Sequence, residues 1–489
     1  GRMSNIARMM QRATAGAGGA GPDVEEVFST YLWGGTGSAR NIVNDINMAD
    51  NGGLVWIKSR TEGGSQYDGF HILCDSERGA NKTLNSDGNK QENWTSFGNT
   101  VTGFNNTNGF SIGDSDYVNY NGHAFASWTF RKAPKFFTMV TWSGTGNENN
   151  TINHDLGSVP GMIIVKRTDS SSDWLVYHRG VNGGTNPEQY NLRLNETEIQ
   201  DQNSSYFSNT APTETTFKVG SLNSFSGGTY VAYLFAHNNN DGEFGADGDL
   251  DIIKCGSYTG NGSTNGPEID LGFEPQWLLV KSASSADVWM MTDNMRGMIN
   301  STDGNNNVNY LKANTSDAES GFSGKFNLTS TGFKITDGGS IINGSGNTYI
   351  YMAIRRGTKV PESATEVFAQ DFSYSSAANA ADVQYYSGWP VDMSLFSGSR
   401  SGGGNRDVRS RLTGAGRMYS EVTDVEASAG TPWWDTNEGW KHRSSDGTLN
   451  TNVVTYMWKR APGYFDVVAY SGTGSARNLS HNLGVAPRL

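Results

Sequence analysis

The chain has 489 residues, a formal charge of −12, 18% charged and 35% hydrophobic residues, and two cysteines. That length allows roughly three to five domains. An acidic balance without a Lys/Arg run argues against nucleic-acid binding. Two cysteines in different parts of the chain argue against a disulfide framework or a cysteine zinc site, and no apolar stretch approaches the ~18 residues of a membrane span.

Residues 1–22 differ from the rest. Ser4 is placed to cap a short helix with Ile6, Met9, Met10 and Ala13 on one face, Arg8 and Arg12 beside them, and no acid. A flexible AGAGGAGP linker follows, and the segment reads as a docking peptide for a partner.

From Asp23 onward the chain repeats. Trp33, Trp142, Tyr258, Tyr374 and Tyr470 anchor five copies spaced roughly 110 residues apart, a period that means domains in series. Three copies carry an alternating strand, an aromatic residue, a glycine turn and a Leu-Gly-x-x-Pro turn: Phe137 to Lys166, Ile252 to Lys281 and Phe465 to Leu489. Two of these run on into an apolar strand ending in Lys166 or Lys281; near the start, GLVWIK (Gly53–Lys58) matches it. Copies also end alike, as in Ala124–Phe130, Thr229–Phe235, Thr348–Arg355 and Thr455–Lys459, each a period-two aromatic/aliphatic strand. Dense Asn-Gly and Asp-Gly turns and 11% aromatic residues predict an all-β chain of tandem β-sandwich, jelly-roll-like modules. The expected division is a 1–22 anchor and linker, modules at 23–132, 133–249, 250–360 and 361–460, and the start of a truncated fifth at 461–489, so that a longer chain is expected.

Glu268 to Glu274 (EIDLGFE) resembles the acidic motif of laminarinase-like glycoside hydrolases, whose alternating carboxylates share one strand face. The acids change between copies (Asn153-His154-Asp155, Ser480-His481-Asn482) while Leu-Gly stays, so the position reads as a structural turn and no catalytic residue is expected. His154 and His481 share one repeat position and read as turn-bonding residues. Asn238 to Asp251 is rich in oxygen donors and could hold calcium, although the spacing fits no helix-loop-helix pattern. Trp433, Trp434 and Trp440 form one cluster and Trp389 stands before Pro390; most tryptophans of a sandwich are core, and glycan stacking is the alternative for these four.

The YSGTG…HNLG…P turn pair (Tyr470–Pro487, Trp142–Pro160), the strand Ile163–Lys166, Trp174–Gly180 and Thr229–Gly245 resemble repeat proteins of marine tailed bacteriophages, over nearly all of residues 27–489. The resemblance implies a virion structural or tail-fibre protein with lectin-like sandwiches. On that reading the N-terminal segment docks on other tail proteins and the modules face a host-surface glycan, with a homotrimer as the expected assembly. A tail-structural or capsid-associated protein without receptor binding is the alternative; a polysaccharide-degrading enzyme is a distant third.

Overall fold

A computed structural model describes residues 20–61, 69–146, 150–220, 227–298, 307–323, 325–372, 385–398, 406–414, 416–428, 434–441, 453–470 and 472–488. The expected anchor residues Ile6, Arg8, Met9, Met10 and Arg12 lie outside them, as does Trp433.

The regular structure of the described chain is nearly all strand, with a few one-turn helices such as Val24–Val27 and Met48–Asn51. Module 1 holds β1 (Phe28–Gly34), β2 (Arg40–Val43), β3 (Gly53–Ser59), β4 (Ile72–Asp75), β5 (Val101–Asn106), β6 (Gly109–Ile112) and β7 (Ala124–Arg131). Module 2 holds β8 (Phe137–Ser143), β9 (Asn150–Asn153), β10 (Met162–Arg167), β11 (Leu175–His178), β12 (Tyr190–Arg193), β13 (Asp201–Gln202), β14 (Thr216–Val219) and β15 (Thr229–Phe235). Module 3 holds β16 (Ile253–Thr259), β17 (Glu268–Asp270), β18 (Pro275–Ser282), β19 (Met290–Asp293), β20 (Asn307–Lys312), β21 (Ser320–Ser323), β22 (Phe326–Thr329), β23 (Gly332–Ile335) and β24 (Thr348–Arg355). Module 4 holds β25 (Phe368–Asp371), β26 (Tyr385–Tyr386), β27 (Met393–Gly398), β28 (Asp407–Ser410), β29 (Gly416–Tyr419), β30 (Ala427–Ser428), β31 (Gly439–Trp440) and β32 (Val453–Trp458).

Every module builds its main sheet in the same order: first strand, last strand, third strand, then the strands that follow in sequence. The orders are β1-β7-β3-β4, β8-β15-β10-β11-β12-β13, β16-β24-β18-β19-β20-β21 and β25-β32-β27-β28-β29-β30, all antiparallel. A smaller sheet (β2-β6-β5, β9-β14, β17-β23-β22 or β26-β31) covers one face. The last strand of each module is thus central, which is why it alternates aromatic and aliphatic residues. The anchor aromatics pair across it: Trp33 stacks on Phe125, Trp142 on Tyr230 and Tyr258 on Tyr349, with centroids 5.7, 5.3 and 5.1 Å apart. The Leu-Gly turns recur because Gly157, Gly272 and Gly484 all sit at left-handed φ (70°, 75° and 73°), where a Cβ costs about 1 kcal/mol or more.

Modules 1–3 follow in series along the chain and close on themselves in space. In β3, Val55 and Ile57 point into their own sandwich, whereas Leu54 and Trp56 point away from it. Those outward residues meet their counterparts from the other two modules. One layer holds Leu54, Met162 and Trp277 with their cross-strand partners Phe130, Phe235 and Ile354. The next holds Trp56, Ile164 and Leu279 with Trp128, Tyr233 and Met352. All twelve are at most 2% exposed and belong to one apolar cluster around a pseudo-threefold axis. Phe130 touches both neighbouring modules, Phe235 at 5.3 Å and Trp277 at 5.9 Å between ring centroids. The ring is latched where its start meets its end: Thr358 Oγ1 accepts from Val24 N (3.1 Å) and donates to Asp23, and Thr358 N donates to Glu25 (2.9 Å).

The described residues of 461–488 form no strand but repeat the turn geometry of 133–160. Lys135 N donates to Leu156 O and Gly463 N to Leu483 O, at 2.6 and 2.7 Å, and Ala133–Phe137 and Ala461–Phe465 make the same isolated bridge.

A shared core predicts shared unfolding. Phe130→Ala is expected to cost about 3–5 kcal/mol, and modules 1–3 are expected to unfold in one urea transition before and after the substitution. Three separate midpoints by near-UV circular dichroism would contradict the shared core.

Candidate functional site: the module seams

Polar groups pin the three seams in a cycle. The next-to-last residue of each third strand is a fully buried lysine, Lys58, Lys166 or Lys281. Each Nζ donates to the carbonyl of its next residue (Ser59, Arg167 and Ser282, at 2.8, 2.9 and 2.6 Å) and to a loop carbonyl of the preceding module: Ser316, Asn89 and Thr197, each at 3.3 Å. Two residues on, the carbonyls of Arg60, Thr168 and Ala283 accept from Glu319 N, Glu92 N and Gln200 N across the same seams. The residue just before each fourth strand reaches over as well: Trp174 Nε1 donates to Asn85 O (2.8 Å) and Trp289 Nε1 to Arg193 O (2.9 Å), and His71 Nε2 lies 2.9 Å from Lys312 O. His71 Nδ1 accepts from Trp56 Nε1, which leaves Nε2 as the protonated nitrogen.

The end of the fourth strand meets the central strand of the next module. Asp75 accepts from Tyr233 Oη (2.7 Å) and Asp293 from Trp128 Nε1 (3.0 Å). Each aspartate is held by an arginine three residues on, Arg78 or Arg296, whose Nε, backbone N and second guanidinium nitrogen make matching contacts. Arg296 also lies over the Trp128 ring at 5.2 Å. At the seam between modules 2 and 3 the aspartate's place is taken by His178. Its Nδ1 accepts from Gly180 N, so its Nε2 donates to Tyr351 O, and burial holds its pKa down near 3. The central strand offers Met352 there, which carries no donor, so this seam uses a neutral imidazole instead of an ion pair.

Module 4 sits against modules 1 and 3. The Asn437 side chain brackets Leu32 N and O on the free edge of β1. Arg60 bridges Glu319 (2.7 Å) and Asp435 (2.9 Å), and Arg460 grips Glu274 through two bonds of 3.0 and 2.8 Å. Burial alone would raise the Glu319 pKa, but Arg60 and Arg296 hold it below the usual range. Two clefts flank this junction. One, about 450 Å³, is lined by Tyr31, Asn44, Gln276, Trp389 and Arg411; the other, about 430 Å³, by Asp249, Arg355, Arg356, Leu483 and Val485.

The expected site residues fall as follows. Glu268 and Asp270 are exposed on β17, while Glu274 is buried and ion-paired, so the three acids do not share one face. His154 and His481 each accept a turn N–H, from Leu156 and Leu483. In the 238–251 loop, the Asp251 carboxylate accepts from Asn240 N and Gly242 N and pairs with Lys254, while Glu243 pairs with Lys135. Among the described residues no group of three or more His, Cys, Asp or Glu converges as a metal site. The glycan-stacking expectation is corrected for three tryptophans. Trp434 and Trp440 stack on each other at 5.6 Å, 6% and 0% exposed, and donate to Gly414 O and Thr455 Oγ1; Trp389 is 8% exposed and donates to Thr365 O. Among the described residues the second sheet of module 4 is two-stranded, and these rings lie in its core.

A family model described as a domain of unknown function (DUF7483) matches residues 23–356. The chain belongs to that family. The match begins at Asp23 and ends at Arg356, so it spans the three-module ring, stops two residues short of Thr358 and leaves module 4 outside. No curated protein matches the chain.

Two measurements follow. Burial pushes Lys58 and Lys281 down to about 8 and Lys166 to about 7. Unfolded lysines titrate near ~10.4, so between pH 7 and 10 the unfolded chain binds more protons and stability rises with pH. Urea midpoints are expected to climb from pH 7 to pH 9, and Lys166→Met to flatten part of that climb. Glu274→Ala leaves Arg460 buried without its main partner, at a cost of about 3–5 kcal/mol. Limited proteolysis is expected to clip module 4 of that variant while residues 23–356 survive.

Proposed function

We propose that the chain is a virion structural protein of a tailed bacteriophage, a tail-fibre or adhesin component that carries β modules to the host surface. The observation that carries this reading is the ring. Three sandwiches share one core, and the buried ionisable groups described above hold the seams, which supports reading the unit as a mount for attachment. Such a body suits attachment, where linked weak sites gain avidity, and the repeat resemblance of Trp142–Pro160 and Tyr470–Pro487 points to the same class. On this reading residues 1–22 dock on a neighbouring virion protein and the ligand is a surface glycan.

A second reading, a tail-structural or capsid-associated protein that binds no receptor, is favoured by the burial of Trp389, Trp434 and Trp440, which removes three sugar-stacking faces. Adsorption assays separate the two. Purified chain is expected to slow adsorption of the phage to its host, and particles lacking the protein to adsorb poorly. Normal adsorption by such particles leaves the structural reading, and absence of the protein from purified virions overturns both.

A further inference from the structure

The chain enters the ring at the edge of a cleft. Gly21 N donates to Gly245 O at 3.1 Å and Gly245 N to Pro22 O at 3.0 Å, which fixes Ala20 beside the linker between modules 2 and 3. The next residues of that linker, Ala246, Asp247, Asp249 and Leu250, line the cleft of about 430 Å³ described above. Further lining comes from the segment after β24 and from the turns of 461–488, with Val360, Pro462, Leu483 and Val485 as its apolar groups. Val360 and Val485 are 44% and 53% exposed, so this apolar surface is open. The charges that face the cleft are unevenly spent. Glu274 and Arg356 belong to the ion-pair network with Arg460 and Asp466. Arg355 lies over the Phe273 ring at 5.8 Å, with Asp249 and Asp251 near it. Asp247 stands exposed, and the stretch from Asp241 to Asp251 holds five acids and no lysine or arginine. The cleft is therefore apolar with an acidic edge.

We propose that residues 1–19 of the same chain occupy this cleft. Their sequence has the complementary chemistry. Ile6, Met9, Met10 and Ala13 fall at i, i+3, i+4 and i+7, the spacing with which an apolar stripe enters a groove. Methionine, unbranched and polarisable, fits an irregular apolar surface. Arg2, Arg8 and Arg12 accompany the stripe with no acid among them, opposite in sign to the 241–251 edge. The reach also suffices: seven residues separate Ala13 from Ala20, or about 25 Å when extended, and the cleft begins one residue past the Gly245 that holds Gly21. Thr358 lines the same cleft, so the occupant lies over the latch that joins module 3 to module 1. The inference does not rest on the virion reading; a neighbouring protein that takes this segment has to displace it.

The test uses a fluorescent peptide of residues 1–16, the full 489-residue chain and a chain that starts at Ala17. Fluorescence anisotropy is expected to show the peptide binding the shortened chain and not the full chain, whose cleft is already filled. Val360→Asp and Val485→Asp change exposed side chains of the cleft and are each expected to weaken peptide binding by about 10-fold or more, with the urea midpoint unchanged. Asp247→Lys with Asp249→Lys is expected to weaken it by about 10-fold at low salt and less at high salt. Sedimentation equilibrium is run on both chains, and a monomer is expected for each. Failure of the peptide to bind the shortened chain, equal binding to both chains, or binding that neither valine variant weakens overturns the proposal. A full chain that self-associates while the shortened chain stays monomeric gives the cleft to the segment of another copy, which overturns it as well.

Discussion

The fold depends on a central sheet with two apolar faces and a second sheet large enough to cover only one of them. Strands such as GLVWIK, MIIVK and WLLVK are hydrophobic at every position before the lysine, as strands buried on both sides are. A single sandwich of this design would leave Leu54 and Trp56, or Trp277 and Leu279, in water. At roughly 25 cal/mol per Å² of apolar surface, aromatic and aliphatic side chains of this size contribute about 1.5–3 kcal/mol each when buried. Three modules turning these faces inward satisfy the requirement at once, and the repeat number of the family's unit follows from that.

Closing such a ring forces the ends of its third and fourth strands out of water, and lysine handles that differently from the aspartates. The stems of Lys58, Lys166 and Lys281 continue the apolar layers, while each ammonium reaches two or three carbonyls where a strand ends and a neighbouring loop arrives. Asp75 and Asp293 instead rely on Arg78 and Arg296, which satisfy them locally before the neighbouring module adds one more donor. His178 shows that the position needs a hydrogen-bonding group shaped to the seam more than it needs a charge.

Much of the architecture was legible in the sequence, because repeats, alternating strands and glycine turns are local signals. The Leu-Gly turns, the bracketing strands and the turn role of His154 all rest on neighbours within a few residues. The ring was not legible, since nothing local distinguishes a strand buried between two sheets from one buried between two modules. The recurring lysine was visible, and the pairs Asp75/Arg78 and Asp293/Arg296 could have been found by aligning copies, had His178 and Val181 not broken the pattern in copy 2. The tryptophans of module 4 misled for the converse reason: clustering along the chain says nothing about which way a ring points, and a small second sheet makes aromatic bulk necessary inside. Residues 1–22 carry the docking expectation and lie largely beyond what the structure describes.

The latch between Asp23–Glu25 and Thr358 has a topological consequence. The join of module 3 to module 1 has the same kind of seam bonds and shared core as the other two joins and differs from them in lacking a peptide connection. The point at which the chain enters and leaves the ring is therefore not written into the packing. The ring is a circular object that happens to be cut once, and a chain opened at a linker between modules and rejoined across the latch would describe the same body.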